Sequence, residues 1–394
     1  MKKIIALLLV ILMIFALAAC AGEETDEEEK DDKPIKTESS VTTSVGTFEY
    51  GTNEEGDYEI TKYVPASLKV VDVTLPKETA DGRDIVGVGK EAFKAVLSVK
   101  SVTIPNTYVY VADYAFYGCD ELAKVSMSDS VETIGKGAFQ NCPKLAELTL
   151  SKGIKTVSVD AFNGCEKITA VDLSACETLE KGAFFGCTAL TDVTLSDKLT
   201  YVSAYAFTGA DNVVYTVENG AKYLGNKENP YVALICASSL DIETCTVNDS
   251  TTIIAERAFA YCSDLETVTL GKAVTVINGS CFENDPEYDK KFGDAEIPQV
   301  KLTFNTYDED TAGCYLGTEE NPYMVLVYII ATNADDFKLH ADTKIIADTA
   351  FEDSKIKDIA FDGTEEDWNA IIKGENWADD RIINVLWNEP VVEE

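Results

Sequence analysis

Thiols are the most concentrated chemistry in this chain: ten of its eleven cysteines lie beyond residue 100. Five of them, Cys119, Cys142, Cys165, Cys187 and Cys262, each follow a phenylalanine by three residues in the pattern Ala-Phe-x-x-Cys. A metal needs convergent ligands, and a disulfide needs Cβ vectors that face one another. Thiols repeated at one position of a periodic chain stack instead in a column with parallel Cβ vectors, so they read as buried thiols acting as small hydrophobes. Cys176 stands where neighbouring segments carry Val131 or Ile154, which agrees. Cys236 and Cys245 lie nine apart and are replaced by Tyr328 and Phe337 in a second copy of their segment, so a disulfide stays open as an alternative in an oxidising exterior.

The other chemistries are thin. A single histidine, His340, excludes any mechanism that needs two imidazoles; it aligns with Asn248 of the other copy and reads as a turn residue. Asp308-x-Asp310-x-Ala312-Gly313 with Glu319 approaches an EF-hand loop. Its fifth position is Ala and no helices flank it, so no metal is assigned, and no cofactor is expected. No pair of carboxylates stands out for glycoside hydrolysis. An extracellular hydrolase is therefore the weakest reading, and the chain is read as no enzyme. With 33 Lys and Arg against 69 Asp and Glu, the net charge is −36, which repels nucleic acid. At 46% apolar residues the chain is too hydrophobic for a disordered one.

The N-terminus reads as an address. Lys2 and Lys3 precede a 16-residue apolar run from Ile4 to Ala19, too short for a stable span, and Leu17-Ala18-Ala19-Cys20 has the form of a bacterial lipoprotein signal. Residues 1–19 are assigned as signal peptide and Cys20 as the lipid attachment site. This places the mature chain outside the cytoplasm, on the outer face of a cell membrane or outer membrane. Eight of the ten residues from Glu23 to Asp32 are acidic, so residues 20–45 read as the lipidated Cys and an extended, self-repelling tether.

The remainder is a repeat. Ala-Phe recurs with its Phe at 93, 116, 139, 162, 184, 207, 259 and 351, at spacings of 23, 23, 23, 22, 23, 52 and 92, and Cys281-Phe282 falls 23 after Phe259. Such a period predicts a solenoid whose coils bury their apolar faces only against their neighbours. Within a unit, Leu145, Leu148 and Leu150 set the L-x-x-L-x-L pattern of a leucine-rich repeat, and its alternating end predicts a short parallel strand. The G-x-x-A-F-x-x-C stretch is too short for a full helix and predicts turns with at most one 3₁₀ turn.

The units around VETIGKGAFQNCPKLAELTLSKGI resemble the BspA-like leucine-rich repeats of bacterial surface proteins. The segments YEITKY to DGRDIVGVGKEAF and FDGTEEDWNAIIKGENW resemble the ends of such arrays. The resemblance implies a curved extracellular solenoid of the adhesion or ligand-binding kind, with no catalytic residues to carry over. The fold class is thus an α/β leucine-rich-repeat solenoid, strand-dominated, with one parallel β-sheet. Its expected divisions are an N-terminal cap over 46–90, repeats over 91–361 with inserts near 213–245 and 286–337, and a C-terminal cap over 362–394.

The inserts are copies of one another: Tyr223–Phe259 and Tyr315–Phe351 align without a gap at 14 identities in 37. G-x-x-E-N-P between a Tyr-containing strand and an apolar run predicts a β-hairpin. Tyr223, Tyr231, Tyr315 and Tyr323 in the inserts, with Tyr110 and Tyr201 in the array, are the candidate binding residues. The column Thr103, Ser126, Thr149, Asp172, Thr194 and Thr269 reads as the inner sheet face and lacks the aromatic rows of a glycan platform. Thr364 with Asp367 marks a helix start, placing Trp368, Ile371 and Ile372 on one capping face. The partner expected is an extracellular protein or glycan, a host-derived one among the candidates; a self-associating envelope component is the alternative.

Overall fold

The computed structural model describes residues 35–37, 39–283, 302–306, 313–329, 335–348, 350–351, 354–374, 377–378 and 384–387. From Ile35 onward these residues belong to one compact unit of stacked coils, built almost wholly of strands.

Each coil carries two strands. The first is the alternating segment expected from the leucine-rich pattern, as in Val99–Ile104, Lys124–Met127 and Glu147–Thr149, paired in parallel with Val102, Val125 and Leu148 in register. The second lies about nine residues further on and is only two residues long: Tyr110–Val111, Thr133–Ile134, Thr156–Val157, Thr178–Leu179 and Tyr201–Val202. These also pair in parallel and extend a ten-stranded sheet. Where the sequence predicts one parallel sheet, the coils therefore carry two ladders. Two residues are too few to show a period of two, so the sequence pattern does not mark the second strand.

Between the ladders run the repeat phenylalanines. Phe93, Phe116, Phe139, Phe162, Phe184 and Phe207 stack in sequence with ring centroids 4.7, 5.0, 5.2, 5.2 and 5.8 Å apart. That is close to the spacing of hydrogen-bonded strands, so one ring fits each coil without shear. The chain enters and leaves this column through left-handed residues, for instance Gly182 two before Phe184 and Gly186 two after it. The segment around Phe forms turns in most coils and a 3₁₀ turn at Ala204–Phe207 and Gly279–Phe282.

Strands begin earlier than expected. Ser40–Thr42 pairs antiparallel with Gly46–Thr52, which pairs with Tyr58–Pro65, and Val41 is buried. The sheet thus starts inside the stretch assigned to the tether, because Val41 and Phe48 give this Ser/Thr-rich segment an apolar side to bury. The segment read as a signal peptide, Cys20 and the acidic run lie outside the described residues.

Both inserts are hairpins as predicted, each with a third strand. Thr216–Glu218, Ala221–Leu224 and Ala233–Ala237 run antiparallel, and Ala233–Ala237 then pairs in parallel with Ile253–Ile254 of the second ladder. Asn305–Thr306, Gly313–Leu316 and Val325–Ile329 repeat the arrangement. At the far end, helix α1 (Glu365–Ala370) starts at Thr364 with the anticipated capping box to Asp367. Trp368 and Ile371 are buried, and Trp368 and Trp377 pack together beside Phe351. Ile372 is instead exposed, because α1 has ended and Ile372–Lys373 forms a second-ladder strand.

Candidate functional site

In a two-residue strand one side chain points inward and the other outward. Val111, Ile134, Val157, Leu179 and Val202 are the inward, fully buried set. Tyr110, Thr133, Thr156, Thr178 and Tyr201 are their half-buried outward neighbours. Along this second-ladder face opens a cavity of about 740 Å³, walled from Thr178 and Tyr201 through Val276 to Ile345 and Lys373. A smaller one of about 510 Å³ surrounds Tyr110. The hydroxyl column from Thr103 to Thr269, read from sequence as the inner face, belongs to the first ladder and lines neither.

Two of the six candidate tyrosines thus sit in these cavities, and each is held by a carboxylate from another strand. The Tyr201 hydroxyl donates to Glu256 Oε2 at 2.8 Å, and Glu256 Oε1 lies 3.3 Å from Arg257 Nε with both side chains largely buried. The Tyr110 hydroxyl donates to Glu59 Oε2 at 2.7 Å and accepts from Asn53 Nδ2 at 3.1 Å. To reach Glu59 the Tyr110 ring crosses the strand Ile85–Val88 at Gly87, where a Cβ would overlap the ring. Burial, reinforced by the adjacent carboxylate, raises both phenols above their ordinary range, so they remain protonated donors. At the other end of the larger cavity, Lys373 Nζ donates to the carbonyls of Trp368 and Ile371 at 2.8 and 3.0 Å, 4.5 Å from the centre of the Trp368 ring.

The insert tyrosines do otherwise. Tyr223 and Tyr315 are fully buried, and each hydroxyl accepts a backbone N–H at 3.3 Å, from Asn248 and His340 respectively. They brace the coil and present no ring to a partner, which corrects their assignment as contact residues. Tyr231 and Tyr323 are half-buried and pack edge-on against them, at 5.3 and 5.6 Å. His340 stacks on Tyr323 at 4.2 Å, and its Nδ1 accepts from the Asp342 N–H at 3.1 Å. Asn248 Oδ1 does the same for Ser250, so the imidazole stands in for an Asn turn.

None of the ten described cysteines is in a disulfide, Cys236 and Cys245 included. Cys119, Cys142, Cys165 and Cys187 each donate to the carbonyl of the Phe one coil back, at 3.1 to 3.3 Å. Burial pushes Cys176, Cys187 and Cys245 up to about 12, which makes them poor nucleophiles. The near-calcium pattern at Asp308 and Asp310 lies outside the described residues.

A family model described as "BspA type Leucine rich repeat region" matches residues 86–214 and 235–293 in six copies. These segments are similar to BspA-type leucine-rich repeats. No curated protein matches the chain significantly. Among solved structures, a leucine rich cell surface protein from Faecalibacterium prausnitzii is 20% identical, over 86% of this chain and 98% of that one, with a TM-score of 0.41. The T. pallidum leucine rich repeat protein is 23% identical over 64% and 97%, with a TM-score of 0.35. A leucine-rich repeat protein from Bacteroides ovatus is 16% identical over 87% and 98%, with a TM-score of 0.32. Sequence reasoning missed Glu59, Glu256 and Asn278, all in the cavities. The first two are found only through partners more than 50 residues away. Asn278 carries a weak signal, since its column, apart from Glu180, holds small residues such as Ala112, Gly135, Ser158, Ser203 and Ala255.

Proposed function

We propose that the chain is an extracytoplasmic, lipid-anchored binding protein that takes a macromolecular partner along the second-ladder face and acts in adhesion or ligand capture rather than catalysis. The observation that carries this reading is the 740 Å³ groove, lined by side chains from several consecutive coils and by a tyrosine fixed in place by Glu256. A groove shared among coils suits an extended partner, because each coil adds one contact row. The lipoprotein-like sequence at Leu17–Cys20 and the resemblance of the repeats to those of bacterial surface proteins support the location. The test is capture of extracellular proteins and glycans by residues 35–394, a boundary that keeps the first strands. A saturable partner lost on Tyr201→Ala and Thr178→Arg supports the reading; retention by both variants overturns it.

Self-association as an envelope component has one observation on its side. Thr216–Glu218 is an edge strand, and Val214 and Val217 in and beside it are 73% and 61% exposed. Light scattering of Val217→Lys against the unaltered chain decides: oligomers that dissolve on this change favour it.

A further inference from the structure

The groove contains one polar group without a use in the fold. Asn278 is 5% exposed and lines the cavity, yet its Nδ2 has no hydrogen-bond partner among the described residues. Its position has a structural job elsewhere: the equivalent Ser203 accepts from the Tyr205 N–H and caps the 3₁₀ turn that follows. Asn278 precedes the matching turn Gly279–Phe282 and makes no such cap. Most coils place Ala, Gly or Ser here, and the other large exception, Glu180, also lines the cavity. A buried, unsatisfied amide costs the free protein stability, so its presence calls for an acceptor from outside.

The surrounding charges indicate what carries that acceptor. Glu180, Glu256 and Asp348 line the cavity with Lys181 and Lys373; Glu256 is already paired with Arg257 and Lys373 is turned onto backbone carbonyls, which leaves Glu180 and Asp348 as the carboxylates facing Lys181. The field of the whole chain, at −36, has the same sign. The chain's own acidic stretch Glu23–Asp32 and a second copy of the protein are both of the wrong charge to fill it. Resting on the groove as a binding site, we infer that it takes an extended basic segment of a partner protein, with a peptide carbonyl accepting from Asn278 Nδ2 and a lysine or arginine beside Glu180.

The probe is a labelled heptapeptide of alternating glycine and lysine, titrated by fluorescence anisotropy against the full chain in detergent at low salt. Its lysine-acetylated form and a neutral chitohexaose serve as competitors. Asn278→Ala and Glu180→Gln should each weaken binding about tenfold. Glu147→Gln, on the exposed first ladder, should leave it unchanged, and Asn278→Ala should melt no lower than the parent. Equal affinity for parent and Asn278→Ala overturns the inference and marks the binding as diffuse attraction to an acidic surface. Stronger competition by chitohexaose than by unlabelled peptide overturns the peptide class, and a lowered melting point for Asn278→Ala shows a structural amide instead. Should a partner be captured through Tyr201 yet ignore Asn278, this inference fails while the binding function stands.

Discussion

At the residue scale the coils repeat one backbone solution with uneven residue choices. The position two after the repeat Phe is left-handed in every coil where it is described: Gly118, Gly164, Gly186 and Gly209 occupy it, but so does Ala95, at φ 56°. A Cβ there opposes the carbonyl, so Ala95→Gly should stabilise the protein by about 1 kcal/mol, read as a higher urea midpoint at unchanged slope. The thiols make a second residue-scale prediction. Burial raises Cys176, Cys187 and Cys245 from an ordinary 9 to about 12, so the folded chain holds protons that the unfolded chain releases. Their contribution is fully present below pH 9 and is lost as pH rises toward 12, at up to about 1.4 kcal/mol per pH unit for each thiol. Melting temperature measured from pH 8 to 11 should fall progressively; a flat profile would contradict burial of these groups.

At the element scale, what was legible in the sequence followed the length of each signal. The alternating end of the strand around Val102 and a 23-residue phenylalanine period announce the first ladder and the core column, because the coils repeat them. The second ladder is written in pairs such as Thr133-Ile134, and the groove on it depends on contacts like Tyr201 to Glu256, 55 residues apart, which no local pattern encodes. The insert hairpins were visible because two copies share G-x-x-E-N-P. Their structure explains the conserved spelling between the copies: a Cβ on Gly225 would run into the Asn229 carbonyl, and one on Gly317 into that of Asn321. The same tight turn lets Leu195 and Leu270 donate their N–H groups to the carbonyls of Gly225 and Gly317, each at 2.9 Å. Gly225→Ala should therefore cost about 2 kcal/mol and speed hydrogen exchange in Ala221–Leu224 and Ala233–Ala237 before the repeats on either side.

At the scale of the whole molecule, a solenoid is only as cooperative as its weakest interface between neighbouring coils. One candidate for that interface lies at the first insert, where both ladders are interrupted. The first ladder stops at Asp192–Leu195 and resumes at Thr244–Thr246, and the stacked rings stop at Phe207 and resume at Phe259. Glu256 spans the break three times: its N–H donates to Val202 at 2.9 Å, its carbonyl accepts from Ala204 at 2.9 Å, and its carboxylate receives the Tyr201 hydroxyl. Removing the carboxylate also takes a partner from the largely buried Arg257, a loss worth about 3 kcal/mol when one member of such a pair is deleted. Since the coils before Phe207 keep their own ladders and ring column, that loss should fall on the junction alone. Glu256→Ala should accordingly split a single calorimetric transition into two, with exchange accelerated in Ile253–Ile254 and Val276–Ile277 and unchanged in Thr133–Ile134. One transition, shifted as a whole, would mean that coupling across the insert runs through the hairpin contact at Gly225 rather than through this carboxylate.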